Sequence, residues 1–253
     1  MDKFNMKIYS PSYKRANGVK THKIIPEIIY CVHEFEAEEY KEKGYNIEVM
    51  PDSLKGNIAR VRNYMLETYI KDKGLIIDDD IEGFQFWDIK DGIPKAKKIK
   101  DIKEFIEHGF NLCEEFGSRL WGINIIGDKG SYREYSPFSL SNPISASFMG
   151  FLNNELRFDE RIPLKEDYDY SIQNCNTYRK VLRLNFAFMI KKDHGNLGGC
   201  AESRTIKFEM EQLDLLQKKW GHNIIKQDNS QKKGSNKRQY DFNPIIKVPI
   251  KGI

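Results

Sequence analysis

An α/β fold with a mostly parallel central sheet flanked by helices is what this sequence predicts, on three observations. β-prone apolar runs alternate with helix-period segments over residues 6–80. The runs at 26–32 and 74–77 are continuous rather than alternating, the pattern of strands buried on both faces. The second of them passes straight into three aspartates, and the carboxyl ends of strands are where open α/β sheets bind ligands.

Each element follows from its local pattern. Residues 6–10 alternate briefly and end in Ser10-Pro11-Ser12, a strand entering a loop. Residues 26–32 form the second strand, and 36–43 form a polar helix that Gly44 can cap. Ile47-Glu48-Val49-Met50 is the third strand. Residues 57–71 place Ile58, Val61, Met65 and Leu66 at helical spacing, and residues 74–77 return to strand. Further on the pattern predicts helix at 102–116, strand at 121–126, strand at 145–152, helix at 166–178, strand at 183–190 and helix at 207–220. Residues 227–238 are polar and lysine-rich and read as a mobile basic loop; 241–253 read as a final strand or an extended tail. With no internal repeat and no clean linker, a single domain over residues 1–253 is expected.

Composition excludes several classes. A hydrophobic content of 40% with 12% aromatics is that of a chain that packs a core. No apolar stretch approaches the roughly 20 residues of a membrane helix, and residues 1–7 lead into a strand without a signal-peptide pattern. A cytoplasmic protein without a membrane partner is expected. Cys31, Cys113, Cys175 and Cys200 are scattered, which argues against a zinc cluster or disulfide framework and for buried free thiols. The net charge of +4 is the remainder of 41 basic and 37 acidic residues and by itself identifies no nucleic-acid binder.

Four groups of residues can carry chemistry. In Ile76-Ile77-Asp78-Asp79-Asp80 three carboxylates repel one another at a strand end, and a divalent cation with hard oxygen ligands offsets that repulsion; a solvated acidic turn has the same composition. Glu166, Asp167 and Asp169 open a helix, where the macrodipole favours negative charge. Ordinary capping explains them alone, whereas beside the first cluster one of them can accept a proton from an acceptor. His194, followed by the glycine-rich stretch 195–199, can bring an imidazole to a metal. The loop Ser10-Pro11-Ser12-Tyr13-Lys14-Arg15 can hold a nucleotide base, and Arg60 and Arg62, with Asn57 and Asn63 beside them, can clamp a diphosphate.

In this order of parts the chain resembles the GT-A glycosyltransferases, with their Rossmann-type sheet. The features are the first-strand loop, the helix carrying Gly56-Asn57-Ile58-Ala59-Arg60-Val61-Arg62-Asn63, the aspartates after Ile77, Glu166-Asp167-Tyr168-Asp169, and His194. Within that fold it is most similar to the phage glycosyltransferases associated with TET/JBP-type base oxygenases, relatives of the enzyme that makes base J. Ser10 to Arg15, Ser147-Phe148-Met149-Gly150-Phe151, Lys165 to Asp169 and His194-Gly195 carry that likeness. The resemblance spans roughly residues 6 to 200.

The resemblance implies a nucleotide-diphosphate sugar donor, most often a UDP-sugar, held with Mn2+ or Mg2+. Asp80 is then the first metal ligand and His194 the second. Asp78 holds ribose or sugar hydroxyls, Asp79 lies with the donor, and Asp167, or next Asp169, is the base. It also implies a 5-hydroxymethyl-pyrimidine in DNA as acceptor. Lys95, Lys97, Lys98 and Lys100, with Lys232, Lys233, Lys237 and Arg238, are the candidates for phosphate contacts. A polysaccharide or protein acceptor, a two-metal nuclease and a non-catalytic DNA-binding module are the rival readings.

Overall fold

The computed structural model describes residues 6–130, 132–191, 205–227 and 244–248. In chain order these form β1 (Ile8–Pro11), β2 (Ile29–His33), α1 (Ala37–Glu42), β3 (Ile47–Met50), α2 (Ile58–Thr68), β4 (Lys73–Ile77), β5 (Gly83–Lys90), β6 (Ile93–Lys98) and α3 (Ile102–Glu115). There follow β7 (Leu120–Asn124), β8 (Phe138–Ser139), β9 (Phe148–Leu152), α4 (Glu166–Tyr178), β10 (Leu182–Ile190), α5 (Ile206–Trp220), β11 (Ile225–Gln227) and β12 (Pro244–Ile246).

The main sheet runs β3-β2-β1-β4-β9-β7-β10-β5-β6, with β8 beside β10. β1 to β4, β6, β7 and β10 point one way; β5, β8 and β9 point the other. The sheet is thus mostly parallel, as the apolar runs predicted. Its handedness of connection matters less here than one register. Phe148 pairs with Ile77 and Gly83 with Ile190, so β9 and β5 begin at the edge where β4 and β10 end. That edge therefore gathers the segments after β1, after β4, before β9 and after β10.

Two apolar clusters hold the sheet, one containing Ile8, Tyr30, Leu75, Ile77, Phe84 and Phe110, the other Tyr9, Ile76, Met65, Met149 and Tyr170. Successive residues of β4 fall into different clusters, which is why its sequence is apolar throughout. Trp121, fully buried, fills the space left by two glycines. A Cβ on Gly150 would lie 2.0 Å from its Nε1, and one on Gly109 would lie 2.2 Å from its Cη2. A third cluster, Ile162, Ile172, Leu213, Leu216 and Ile225, docks α5. The N-caps Asn57, Asp101 and Thr205 each accept a backbone N–H of the first turn.

The structure departs from expectation in several places, among them the short strands β8 and β11, for which no element was expected. The hairpin β5–β6 occupies residues that carried no predicted element. Its turn is Asp91-Gly92, both with positive φ (53° and 72°), the conformation that two-residue hairpins favour. β7 stops at Asn124, leaving Ile125 and Ile126 exposed. β9 begins at Phe148 rather than Ser145. Cys31, Cys113 and Cys175 are buried free thiols, and Cys200 lies outside the described residues. Among the described residues no helix is long and apolar enough to cross a membrane.

Candidate active site

The end of β4 fixes three side chains through its main chain. Asp78 donates its N–H to Ser147 O (3.1 Å), extending the β4–β9 ladder by one bond. The carbonyl of Asp78 accepts from Thr21 Oγ1 (2.7 Å), and that of Asp79 accepts from Lys20 N (2.7 Å) and Thr21 N (3.1 Å). With the backbone held on both sides, the three carboxylates diverge.

Asp79 turns into the protein and is 3% exposed. Its Oδ2 accepts from Ser12 Oγ (2.5 Å) and its Oδ1 from Arg15 Nη1 (3.1 Å), while Ser12 Oγ also meets Tyr40 Oη at 2.7 Å. Burial pushes the Asp79 carboxyl up to about 6, against the pull of Arg15 and Ser12. Asp79 therefore holds the loop after β1, with both carboxylate oxygens engaged by Ser12 and Arg15.

Asp78 and Asp80 turn outward together. Lys191, the first residue after β10, sets its Nζ 2.5 Å from Asp78 Oδ2, 2.9 Å from Asp80 Oδ1 and 3.3 Å from Ser147 Oγ. Ser147 Oγ also donates to Asp78 Oδ2 (2.6 Å). Burial pushes the Asp78 carboxyl up, but the charges of Lys191 and Arg62 and these hydrogen bonds outweigh it and hold it below its ordinary value. Burial likewise lowers the Lys191 ammonium, and the two carboxylates more than reverse that. Two oxygens of different residues thus converge on one cation position. The pair fits a single small cation, and among the described residues no third His, Cys, Asp or Glu joins it.

The first turn of α4 divides its acids. Glu166 is buried and accepts from Arg62 Nη1; Arg62 Nη2 also reaches Ala146 O (3.4 Å). Burial pushes Glu166 up to about 7 despite the guanidinium. Asp167 accepts from Ala146 N (3.3 Å) and Tyr168 N (2.9 Å), and burial raises its carboxyl too. Asp167 and Asp78 therefore each bond a residue of the Ala146-Ser147 segment, and the charge of Arg62 acts on both. Asp169 faces elsewhere. It is fully buried and bound by Gln173 Nε2 (2.7 Å), Lys219 Nζ (2.8 Å) and Trp220 Nε1 (2.7 Å), so it anchors α5.

Other expected contacts also find structural duties. Arg60 pairs with Glu160 on the surface (3.2 Å), and Asn63 holds Phe158 through both its amide nitrogen (3.0 Å) and its oxygen (2.8 Å). Both residues brace the segment after β9. Ser10 is buried within the sheet, and Pro11 pairs with Cys31 in it. Tyr13 stands edge-on to His33 (5.6 Å) and Phe35 (5.9 Å), and Phe35 in turn lines a cavity of about 380 Å³ with Lys14, Arg15 and Glu36. His194, Lys232, Lys233 and Lys237 lie outside the described residues. Sequence reasoning missed Lys191 and the role of Ser147. A single lysine after a strand has no pattern, and Ser147 stands far from the aspartates in the chain.

The family model described as TET-Associated Glycosyltransferase matches residues 6–199. No curated protein sequence matches. Among solved structures, S. aureus TarS 1-349 is 15% identical with a TM-score of 0.42, over 72% of this chain and 59% of that one. The mannosyltransferase PcManGT from Pyrobaculum calidifontis, in complex with GDP-Man and Mn2+, is 8% identical with a TM-score of 0.46, over 71% and 54%. A UDP-glucose pyrophosphorylase complexed with UDP-glucose is 6% identical with a TM-score of 0.46, over 81% and 99%. The chain spans less than two thirds of the length of the first two.

Proposed function

The chain belongs to the TET-associated glycosyltransferase family, and on that premise we propose that it transfers a sugar from a nucleotide-diphosphate sugar, a UDP-sugar first among candidates, to the hydroxyl of a 5-hydroxymethyl-pyrimidine in DNA. The observation that supports this most is that Asp167 and Asp78 bond the adjacent residues Ala146 and Ser147 beside the carboxyl end of β4. One carboxylate serves the acceptor and the other the donor. Asp167 takes the proton from the acceptor hydroxyl. The freed oxygen pair forms the bond to the anomeric carbon, and the bond from that carbon to the diphosphate oxygen breaks, with its electrons leaving on the nucleotide. Arg15 and Arg62 bring positive charge to the donor side, where the leaving diphosphate gathers negative charge.

A bound Mn2+ or Mg2+ would neutralise that diphosphate as a Lewis acid. Asp78 and Asp80 are the described residues that would hold it, and His194 is the further ligand we propose. The DNA acceptor rests on the family and on chemistry, because an unmodified pyrimidine offers no exocyclic hydroxyl. The base must be unpaired or flipped out to reach Asp167, and Lys232, Lys233 and Lys237 are proposed for its phosphates.

Incubation with a panel of UDP- and GDP-sugars, Mn2+ and hydroxymethylated or unmodified duplex, followed by digestion to nucleosides and mass analysis, tests this. A sugar adduct is expected on the hydroxymethylated base alone. Donor hydrolysis without an adduct would keep the transferase and remove DNA as its acceptor, favouring a polysaccharide or protein. Absence of both donor consumption and nucleotide binding would remove the transferase itself.

A further inference from the structure

We propose that Lys191 is a resident counter-ion of the donor site: its ammonium must leave Asp78 and Asp80 before a divalent cation can bind them, and it is then free for the donor's diphosphate. This rests on the assignment of the aspartate cluster to the donor. The ammonium has three oxygen neighbours, Asp78 Oδ2 at 2.5 Å, Asp80 Oδ1 at 2.9 Å and Ser147 Oγ at 3.3 Å. That is the arrangement of oxygens around a small cation, filled by a side chain. Two positive centres cannot share it, since at such separations their repulsion is large and poorly screened where the side chains are mostly covered.

The placement suits a cation that moves. Ile190 makes the last bond of its strand, its carbonyl accepting from Glu82 N (2.9 Å), and Lys191 follows it beyond the ladder. Lysine also carries a compact charge on a flexible stem, whereas arginine would lock two carboxylates in a planar fork. Before a donor arrives, the ammonium offsets the repulsion between Asp78 and Asp80 and keeps both aimed at one point. When a diphosphate arrives, it offers the displaced ammonium a new anion. Cation and nucleotide binding are therefore positively coupled through Lys191, and by linkage each strengthens the other equally.

Titration of the protein with MnCl2, followed by the electron paramagnetic resonance of free Mn2+, reads this without any turnover. It is run with and without UDP, and again with GDP, on the wild type, Lys191→Met and Lys191→Gln, each checked for a native melting curve. Wild type is expected to bind Mn2+ weakly alone and at least tenfold more tightly with nucleotide. Both variants should bind Mn2+ alone about tenfold more tightly than wild type, and nucleotide should add threefold or less. Variants that bind Mn2+ no more tightly than wild type, while Asp80→Asn abolishes wild-type binding, would overturn the counter-ion and leave the metal site standing. Absence of Mn2+ binding in every protein, with or without nucleotide, would overturn the metal reading and this proposal with it.

Discussion

Asp167 and Asp169 stand two positions apart on α4, and a helical step of two sends their side chains to nearly opposite faces. One reaches the Ala146-Ser147 segment and the other is consumed by Lys219, Trp220 and Gln173. Asp167→Asn should therefore lower kcat by about 10²–10⁴-fold, the range for a lost general base, and leave the donor Kd within about threefold. Single-turnover kinetics beside donor titration separate the two effects, and a loss of donor binding would move Asp167 to the donor side. Glu166, one residue earlier, makes a pH prediction. Its carboxyl is lifted from an ordinary 4.5 to about 7 in the folded chain, so folding takes up a proton between those values. Its contribution to stability is fullest below 4.5 and is lost as the pH rises through 7. Glu166→Gln cannot titrate. The unfolding free energy of wild type minus that of the variant should fall by on the order of 2 kcal/mol between pH 5 and 8 in urea melts. A flat difference would mean that Arg62 keeps Glu166 ionised throughout. At this scale the sequence shows that acids cluster at a strand end and a helix start. It does not show their directions, because a rotation of one residue decides whether Asp79 meets Ser12 and Arg15 or a ligand.

Among the elements, β7 and β9 depend on a single side chain laid across glycines. Gly150→Ala would drive a methyl into Trp121 at 2.0 Å from Nε1, in a core that has no slack. A loss of about 3 kcal/mol is expected in urea denaturation, with part of it recovered when Trp121→Phe is added to the same chain. An unchanged midpoint would show that the indole can move aside. The buried strands were legible because a sheet covered on both faces imposes continuous apolar runs such as Leu75-Ile76-Ile77. The hairpin β5–β6 was not, because β6 is an edge strand whose Lys95, Lys97 and Lys98 guard it against pairing and erase the apolar alternation. Its signal was the turn itself, Asp91-Gly92. β8, two residues long, leaves no periodicity to read. Nor does the sequence of β9 say that it runs antiparallel between β4 and β7, since side-chain period carries no information about a neighbour's direction.

At the scale of the molecule, the candidate site is assembled from segments scattered from Ser12 to Lys191, and the topology decides what each can do. Sequence reading found the segments after β1 and β4 and the start of α4. It missed Lys191 after β10, and it named Ser147 before β9 only for a family likeness, without the place that the sheet order gives it. The insertion of β9 between β4 and β7 has a consequence for biosynthesis. As the chain leaves the ribosome, β1 to β4 can pair at once, but the far edge of β4 stays bare until hairpin, α3 and β7 have all been made and β9 arrives. Leu75, Ile76 and Ile77 lie on that edge, apolar and unpaired, a template for pairing with another nascent chain. β10 is later still and must slot between β7 and β5, which are already synthesised. Such long-range closures fold slowly. A chain stalled before residue 148 has a sticky edge, and one stalled before residue 191 lacks the ammonium that offsets the repulsion between Asp78 and Asp80.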